Sequence, residues 1–274
     1  MNRRPIISVS RIARRKDGLS QAARMVPEEV PVAFSYGGTT HAVMMGTPDD
    51  LEDFAVGFSL SEGIIDKASD MEEIAVEEHA RGIDIQITLA EAKGQHLAAR
   101  RRHMAGPVGC GLCGIESIDE ALKPITPVQN TKLHLTADDI ARSVQLLSAQ
   151  QPLHKETGAV HAAGFYVPGR GIIAAREDVG RHNALDKLIG SLARQAVDGR
   201  TGVIVVTSRV SLEMVQKTAV IGASVLAAVS APTALAIRTA EEAGITLIAL
   251  VRGEEFDIYT HPDRIDIRST AHVA

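Results

Sequence analysis

The second half of this 274-residue chain alternates strand and helix signals with a regularity that few folds accommodate. Thr136 can cap a helix running to about Ala149, and His161–Val167 and Gly171–Ala175 pair across the turn-forming Pro168-Gly169-Arg170. Asn183–Val197 carries Leu185, Leu188, Ile189, Leu192 and Ala196 at helical spacing. Strand Val203–Thr207, helix Ser211–Ile221, strand Val225–Val229, helix Thr233–Ala243 and strand Ile245–Val251 follow. Strands separated by helices predict an α/β layered domain with a largely parallel sheet over residues 136–274.

The first half reads differently. Val32–Tyr36 and Thr39–Met45 flank Gly37-Gly38, a hairpin signal. Thr47-Pro48-Asp49-Asp50 then opens a helix, with Thr47 as its cap and Leu51, Phe54, Ala55 and Phe58 on one stripe as far as Glu62-Gly63. Met71–Glu78 and Gly82–Leu89 alternate as two further strands. A small α+β domain over residues 30–95 is expected, preceded by a flexible basic leader over 1–29. Residues 96–135 are expected as a linker holding the basic run Arg100-Arg101-Arg102-His103 and a glycine-rich loop, with a short helix from Ile115 to Leu122.

Charge and composition remove several function classes. The leader has seven basic side chains against three acids, so it is +4, and the rest of the chain carries −9 of the net −5. An acidic body with 3 % aromatic residues and no Trp disfavours nucleic-acid binding through stacked bases. The leader lacks an apolar signal core. Ala219–Val229, the most apolar later stretch, is interrupted by Gly222 and Ser224 and is too short to span a bilayer. A cytoplasmic protein without a membrane role is expected.

Both cysteines, Cys110 and Cys113, sit in Gly106-Pro107-Val108-Gly109-Cys110-Gly111-Leu112-Cys113-Gly114. A secreted disulfide framework is excluded by the count. Positive charge or a helix start nearby would favour a reactive thiolate. A structural zinc wants four ligands, and no second CxxC or nearby histidine pair supplies them within one chain. The remaining readings are a mobile carrier of cargo, a zinc shared between two chains, a dithiol reductase, or two incidental thiols.

A second candidate is Arg176-Glu177-Asp178-Val179-Gly180-Arg181-His182-Asn183-Ala184-Leu185-Asp186-Lys187, where a strand becomes a helix. Open α/β sheets bind ligands at such ends. The alternative is helix capping with surface ion pairs, for example Asp178 with Arg181. Third are the strand ends Thr207-Ser208-Arg209, Ser230-Ala231-Pro232-Thr233 and Val251-Arg252-Gly253. Hydroxyls, helix N-termini and two arginines on one edge would suit an anionic ligand, although Ser and Thr there also serve as caps. No Walker A or GxGxxG accompanies them. His41, His79, His103, His154, His161 and His261 are scattered and read as ordinary surface or hydrogen-bonded residues.

The order of elements from Thr136 resembles the cytidine-deaminase-like fold. Zinc deaminases place His-x-Glu at the helix after the hairpin and Cys-x-x-Cys at the next helix. Here those places read His182-Asn183-Ala184 and Ser208-Arg209-Val210-Ser211. One imidazole and two neutral hydroxyls would not hold zinc, and the acid/base glutamate is replaced by Ala184, so deamination is excluded and no metal site is expected.

Together these segments, with Pro48…Gly57-Phe58…Glu62-Gly63-Ile64-Ile65 and Ser208 through Val215, resemble the formate dehydrogenase accessory sulfurtransferase family, FdhD. The resemblance implies a sulfurtransferase that takes persulfide sulfur from a cysteine desulfurase. It implies delivery to the molybdenum cofactor of formate dehydrogenase, Mo-bis(molybdopterin guanine dinucleotide), bound as cargo, with a guanine nucleotide as mimic. By position, Cys110 would carry the persulfide and Cys113 would assist. The family's cofactor contact falls on Leu250, Val251, Arg252, Gly253, Glu254 and Glu255, joined by Ser208, Arg209, Ser230, Thr233 and His182. Leu250 stands where an aromatic residue is expected. The rival roles are a non-catalytic cofactor-binding chaperone for apo-formate dehydrogenase and a zinc-bridged structural dimer. A homodimer stays open.

Overall fold

A computed structural model describes residues 3–103, 125–128 and 133–267. Two sheets and seven helices dominate these residues. The smaller sheet is built from β3 (Val30–Tyr36), β4 (Thr39–Gly46), β5 (Met71–His79) and β6 (Gly82–Leu89), in the order β4-β3-β6-β5. Gly37 and Gly38 both take positive φ, 57° and 75°, which closes the β3–β4 hairpin. Helix α1 (Leu51–Ser61) packs on this sheet: Phe34 stacks on Phe58 at 4.3 Å and meets Phe54 edge-on at 4.9 Å.

The larger sheet contains β8 (His161–Val167), β9 (Gly171–Asp178), β10 (Val203–Val206), β11 (Val225–Ala228), β12 (Thr246–Arg252) and β13 (Glu255–Ile258), in the order β13-β12-β11-β10-β8-β9. Strands β10, β11 and β12 are parallel, whereas β8 runs antiparallel to β10. Alternate residues face opposite layers, as pleating requires. Ile204, Val206, Leu226 and Ala228 face the core shared with α5 (Arg181–Arg194), α6 (Leu212–Val220) and α7 (Ala234–Glu242). Val203, Val205, Val225 and Ala227 face the other side, covered by Ile140 and Leu147 of α3 (Ala137–Ala149). Thr136 caps α3 as expected, its hydroxyl accepting from the Asp139 amide at 3.1 Å while Asp139 returns the bond.

The sequence-derived division into an N-terminal and a C-terminal unit meets an unexpected continuity. Val32, Phe34 and Phe54 belong to the same core cluster as Leu185, Leu188 and Leu247. The junction is a crossing of α1 over α5 at two glycines. A Cβ on Gly57 would lie 1.7 Å from the Asp186 carbonyl oxygen, and one on Gly190 would lie 1.8 Å from that of Asp53. Only hydrogen fits at either position, so the helix backbones touch.

Several local expectations are corrected. Residues 6–27, expected as a flexible leader, pair over ten positions as β1 (Ile6–Arg15) and β2 (Gly18–Pro27). The start of the expected linker is helix α2 (Glu91–His103), with Arg100–His103 in its last turn. Thr47 does not cap α1. Asp50 occupies that position in a left-handed conformation, φ 52°, and Thr47 is turned toward the larger sheet. The C-terminal half also holds elements with no clear periodic signal: short helix α4 (Pro152–Thr157), strand β13, and β7 (Leu135–Thr136) paired with β14 (Ile265–Asp266). No helix among the described residues is long and apolar enough to cross a membrane.

Candidate functional site

The C-terminal ends of β10, β11 and β12 are tied to one another by backbone hydrogen bonds. Val210 donates to the Ala231 carbonyl at 3.2 Å, Thr233 donates back to Val210 at 2.9 Å, and Leu250 donates to Ser230 at 3.4 Å. The three strand-end segments singled out in the sequence therefore form one continuous rim, from which α6 and α7 start. Their N-termini leave backbone amides and positive dipole ends at this edge of the sheet. Arg209 and Arg252 are exposed there.

The hydroxyls on this rim are mostly engaged. Ser208 is buried and donates to the Arg209 carbonyl at 3.0 Å. The Thr233 side chain accepts from the Ala236 amide at 3.1 Å, capping α7. Ser230 presents its carbonyl to Leu250. The cap reading thus holds for Thr233, and the rim's cationic groups are the two exposed guanidinium groups.

The Leu250–Glu255 stretch is not uniform. Leu250 adopts φ 57°, at an irregularity in the β12–β13 pairing between Ala249 and Arg252. A γ-branched residue pays strain in this region, so the surrounding pairing must hold it. Val251 points into the core with Ile140 and Leu147 and offers a ligand only its backbone. Arg252 and Glu255 pair across the turn made by Gly253, φ 62°, and Glu254, and all four residues are exposed.

His182 is the second residue of α5, and the structure brings it to the start of α6. Its Nε2 lies 3.5 Å from Ser211 Oγ and 3.9 Å from Glu213 Oε2. Burial, then the charges of Arg181 and Lys217, pushes the imidazole down to about 4, so it is neutral near pH 7. Burial pushes the Glu213 carboxyl up, but the Ser211 hydroxyl and a backbone amide outweigh it and hold Glu213 below the usual glutamate range. Among the described residues the buried Nε of Arg181 has no hydrogen-bond partner.

The rest of the charged segment around His182 is structural, and the pairing of Asp178 with Arg181 is replaced by another. Asp178 pairs with Lys187 at 2.7 Å. Asp178 also accepts from the Thr47, Gly180 and Asn183 side-chain nitrogen or backbone donors at 2.9, 2.7 and 2.9 Å. Glu177 accepts from the Leu153 and His154 amides, both at 2.9 Å, closing the N-terminus of α4. Asp186 is held by Lys217 at 2.7 Å and by the Ser61 hydroxyl at 2.6 Å. Arg176 and Arg194 clamp Asp53, each at 2.6 Å. Asp53 with Arg194 and Ser61 with Asp186 join α1 to α5, while Arg176 ties α1 to β9 and Lys217 ties α6 to α5. Sequence spacing did not separate them from ligand-facing groups, because helix-start charges look alike in either role. Lys217, Asp53 and Thr47 were missed altogether as polar partners because their mates lie far along the chain.

Cys110 and Cys113 lie outside the described residues, as do the Ile115–Leu122 helix expectation and the side chains of Arg100–His103.

Comparison with known proteins agrees on one lineage. A profile described as the FdhD/NarQ family matches residues 27–266. A protein named "Sulfur carrier protein FdhD" from Agrobacterium fabrum is 58 % identical over 257 residues, covering 94 % of this chain and 95 % of its own. One of the same name from Xanthomonas axonopodis pv. citri is 49 % identical, covering 96 % of this chain and 94 % of its own. The crystal structure of a putative formate dehydrogenase accessory protein from Desulfotalea psychrophila superposes with a TM-score of 0.77 at 26 % identity, covering 96 % of this chain and all of that one.

Proposed function

We propose, from the premise that the chain belongs to the FdhD/NarQ family, that it is a sulfur carrier acting for formate dehydrogenase. In this reading Cys110 accepts persulfide sulfur from a cysteine desulfurase, with Cys113 assisting. The sulfur passes in the cytoplasm to Mo-bis(molybdopterin guanine dinucleotide), held on the rim as substrate. The chain then acts as a sulfurtransferase, and its two thiols carry cargo.

The observation that carries this reading is the hydrogen-bonded rim of three strand ends with Arg209 and Arg252 exposed along it. A guanine dinucleotide offers pyrophosphate oxygens, and guanidinium groups with helix-end amides suit them. His182 is neutral and contributes a hydrogen-bonding edge, leaving the positive charge to the arginines. The layout also supports a cytidine-deaminase-like layering of the C-terminal half. Helix α3, hairpin β8–β9, then α5, β10, α6, β11, α7 and β12 follow in that order, and His182 sits beside Ser211. Zinc deaminases have histidine and cysteine ligands at those two places. Here the residues are imidazole and hydroxyl, so a nucleotide pocket without zinc is the natural use of the scaffold.

The test is mass spectrometry of the full chain after incubation with a cysteine desulfurase and cysteine. A gain of one sulfur atom on Cys110, lost in Cys110→Ala, is expected. Absence of the adduct, or full formate dehydrogenase activation by Cys110→Ala in cells, would leave the protein a cofactor-binding chaperone.

A further inference from the structure

We infer that Arg181 and Glu213 read the base of the nucleotide, and that their pattern of donors and acceptors selects guanine over adenine. The inference rests on the reading that the rim binds a guanine nucleotide, and it gives a task to two residues outside the rim.

The edge that carries the rim continues past β10. Strand β8 runs antiparallel to β10, so its first residues stand at the same edge of the sheet. The Ala162 amide donates to the Thr207 hydroxyl at 2.9 Å, and the Thr207 amide donates to the Ala162 carbonyl at 3.0 Å. His161 precedes Ala162 and is in register with Asp178, three residues before Arg181. His182, next to Arg181, lies 3.5 Å from Ser211 and 3.9 Å from Glu213 at the start of α6. From β12, which carries Arg252, to β8 there are three strand spacings, about 14 Å. An extended nucleoside diphosphate has its phosphates at one end and its base at the other. Phosphates on Arg252 and Arg209 therefore leave the base at the end where α5 meets α6.

That end suits a base better than a second phosphate. Arg181 is the first residue of α5, where a cation opposes the helix dipole. Among the described residues its buried Nε has no hydrogen-bond partner. A half-buried guanidinium placed against the dipole, and not fully spent within the protein, is a donor held for a ligand's acceptor. Glu213 is its counterpart. Burial pushes its carboxyl up, but the Ser211 hydroxyl and a backbone amide hold it below the usual glutamate range, so it stays ionised and only accepts. Such a carboxylate repels a phosphate. Burial, then the charge of Arg181, pushes His161 down, as it does His182, so neither imidazole adds positive charge.

Guanine matches this pattern. Its O6 and N7 are adjacent acceptors for an arginine, and its N1–H and 2-amino group are adjacent donors for a carboxylate. Adenine has an amino group in place of O6 and a lone pair at N1, so it meets both side chains with the wrong polarity. A site that hydrogen-bonds its ligand rejects such an analogue, because its own groups are left unpaired.

The test is titration calorimetry of the full chain with guanosine, inosine, xanthosine and adenosine diphosphates. The wild type should bind guanosine diphosphate about 100-fold more tightly than adenosine diphosphate, with inosine diphosphate, which lacks the 2-amino group, between them. Arg181→Gln should narrow that gap to about 10-fold or less, since an amide can pair with adenine. Glu213→Gln should weaken guanosine diphosphate about 10-fold and strengthen xanthosine diphosphate by a similar factor, because the amide donates to the oxygen that replaces the 2-amino group. A purely structural Glu213 would not exchange one base for another. Arg252→Ala, acting on the phosphates, should weaken all four ligands by the same factor. Circular dichroism checks that each variant is folded, and the two base-reading variants are independent of each other. Equal affinity of the wild type for guanosine and adenosine diphosphates overturns the inference while leaving the rim a phosphate site. So does a base preference that neither Arg181→Gln nor Glu213→Gln changes. Absence of any nucleotide binding overturns the rim reading itself, and this inference with it.

Discussion

Asp178 and Lys187 form a 2.7 Å ion pair from which both side chains are wholly withdrawn from water. The pair is satisfied on both sides: Lys187 also donates to the Thr47 carbonyl at 2.9 Å, and its ammonium stands 5.4 Å from the centre of the Phe54 ring. Thr47 closes the arrangement by donating its amide to Asp178 and accepting from the Val179 amide at 3.1 Å. The chain just before α1 is thereby locked to the β9–α5 corner that presents His182.

Removing one member of this pair should be costly in an asymmetric way. Lys187→Met leaves Asp178 with three remaining donors, whereas Asp178→Ala leaves a buried ammonium with one carbonyl. Breaking a buried pair costs about 3–5 kcal/mol. Urea denaturation should place Lys187→Met toward the lower end of that range and Asp178→Ala at or beyond the upper end. Equal losses would mean that the Asp178 hydrogen bonds contribute little.

The helix crossing gives a second prediction. Gly57→Ala and Gly190→Ala each drive a methyl group into a carbonyl oxygen less than 2 Å away. No rotamer relieves that clash, because both contacting atoms are backbone. The helices must separate, loosening the Asp53 and Asp186 clamps with them. Either substitution should cost at least about 3 kcal/mol in thermal or urea unfolding, above the usual overpacking range. Gly94→Ala has open space around it in α2 and should raise helix stability instead, by up to about 1 kcal/mol.

What the sequence made legible, and what it hid, follows from the range of the interactions. The alternation of Val203–Val206 with α6, and of Val225–Ala228 with α7, is written in local periodicity, and the elements appear within a residue or two of expectation. The capping box of Thr136 and Asp139 is likewise local. Thr47 looked like a cap because Thr-Pro-Asp-Asp is a good helix start, but its partner lies 131 residues away. Tertiary hydrogen bonding therefore overrode a local signal. The leader hid its strands because, among its described residues, only Ala13 becomes buried, which leaves almost no apolar alternation to read. In the candidate site, strand-end hydroxyls were visible but their engagement was not. Nothing in the spacing of Ser208 or Thr233 distinguishes a capping hydroxyl from a ligand-binding one.

His182 makes stability depend on pH. Its folded value is about 4 against 6.5 for an ordinary histidine. As pH falls through 6.5, the unfolded chain takes up a proton that the folded chain refuses until about 4. Stability from this group is therefore fully present above 6.5 and declines between 6.5 and 4. The wild type should lose more thermal stability between about pH 7 and about pH 5 than His182→Gln does. A proton resonance of the His182 ring that titrates near 6.5 would contradict the burial argument.

The last prediction separates the rim from the core beneath it. Arg252 is exposed on the terminal turn of β12, whereas Val251 beside it is buried with Ile140. If the rim holds the guanine-nucleotide end of the cofactor, guanosine diphosphate should bind the folded chain, and Arg252→Ala should weaken it without destabilising the fold. A charge-assisted hydrogen bond contributes about 1.5–3 kcal/mol, which is roughly a 10- to 100-fold rise in Kd by titration calorimetry. Arg209→Ala should act in the same direction, because Val210 and Thr233 fix its segment to the neighbouring strand end. Val251→Ala should do the reverse, lowering unfolding stability by about 1–3 kcal/mol while leaving nucleotide affinity nearly unchanged. Affinity unmoved by either arginine change would take the phosphates off this rim.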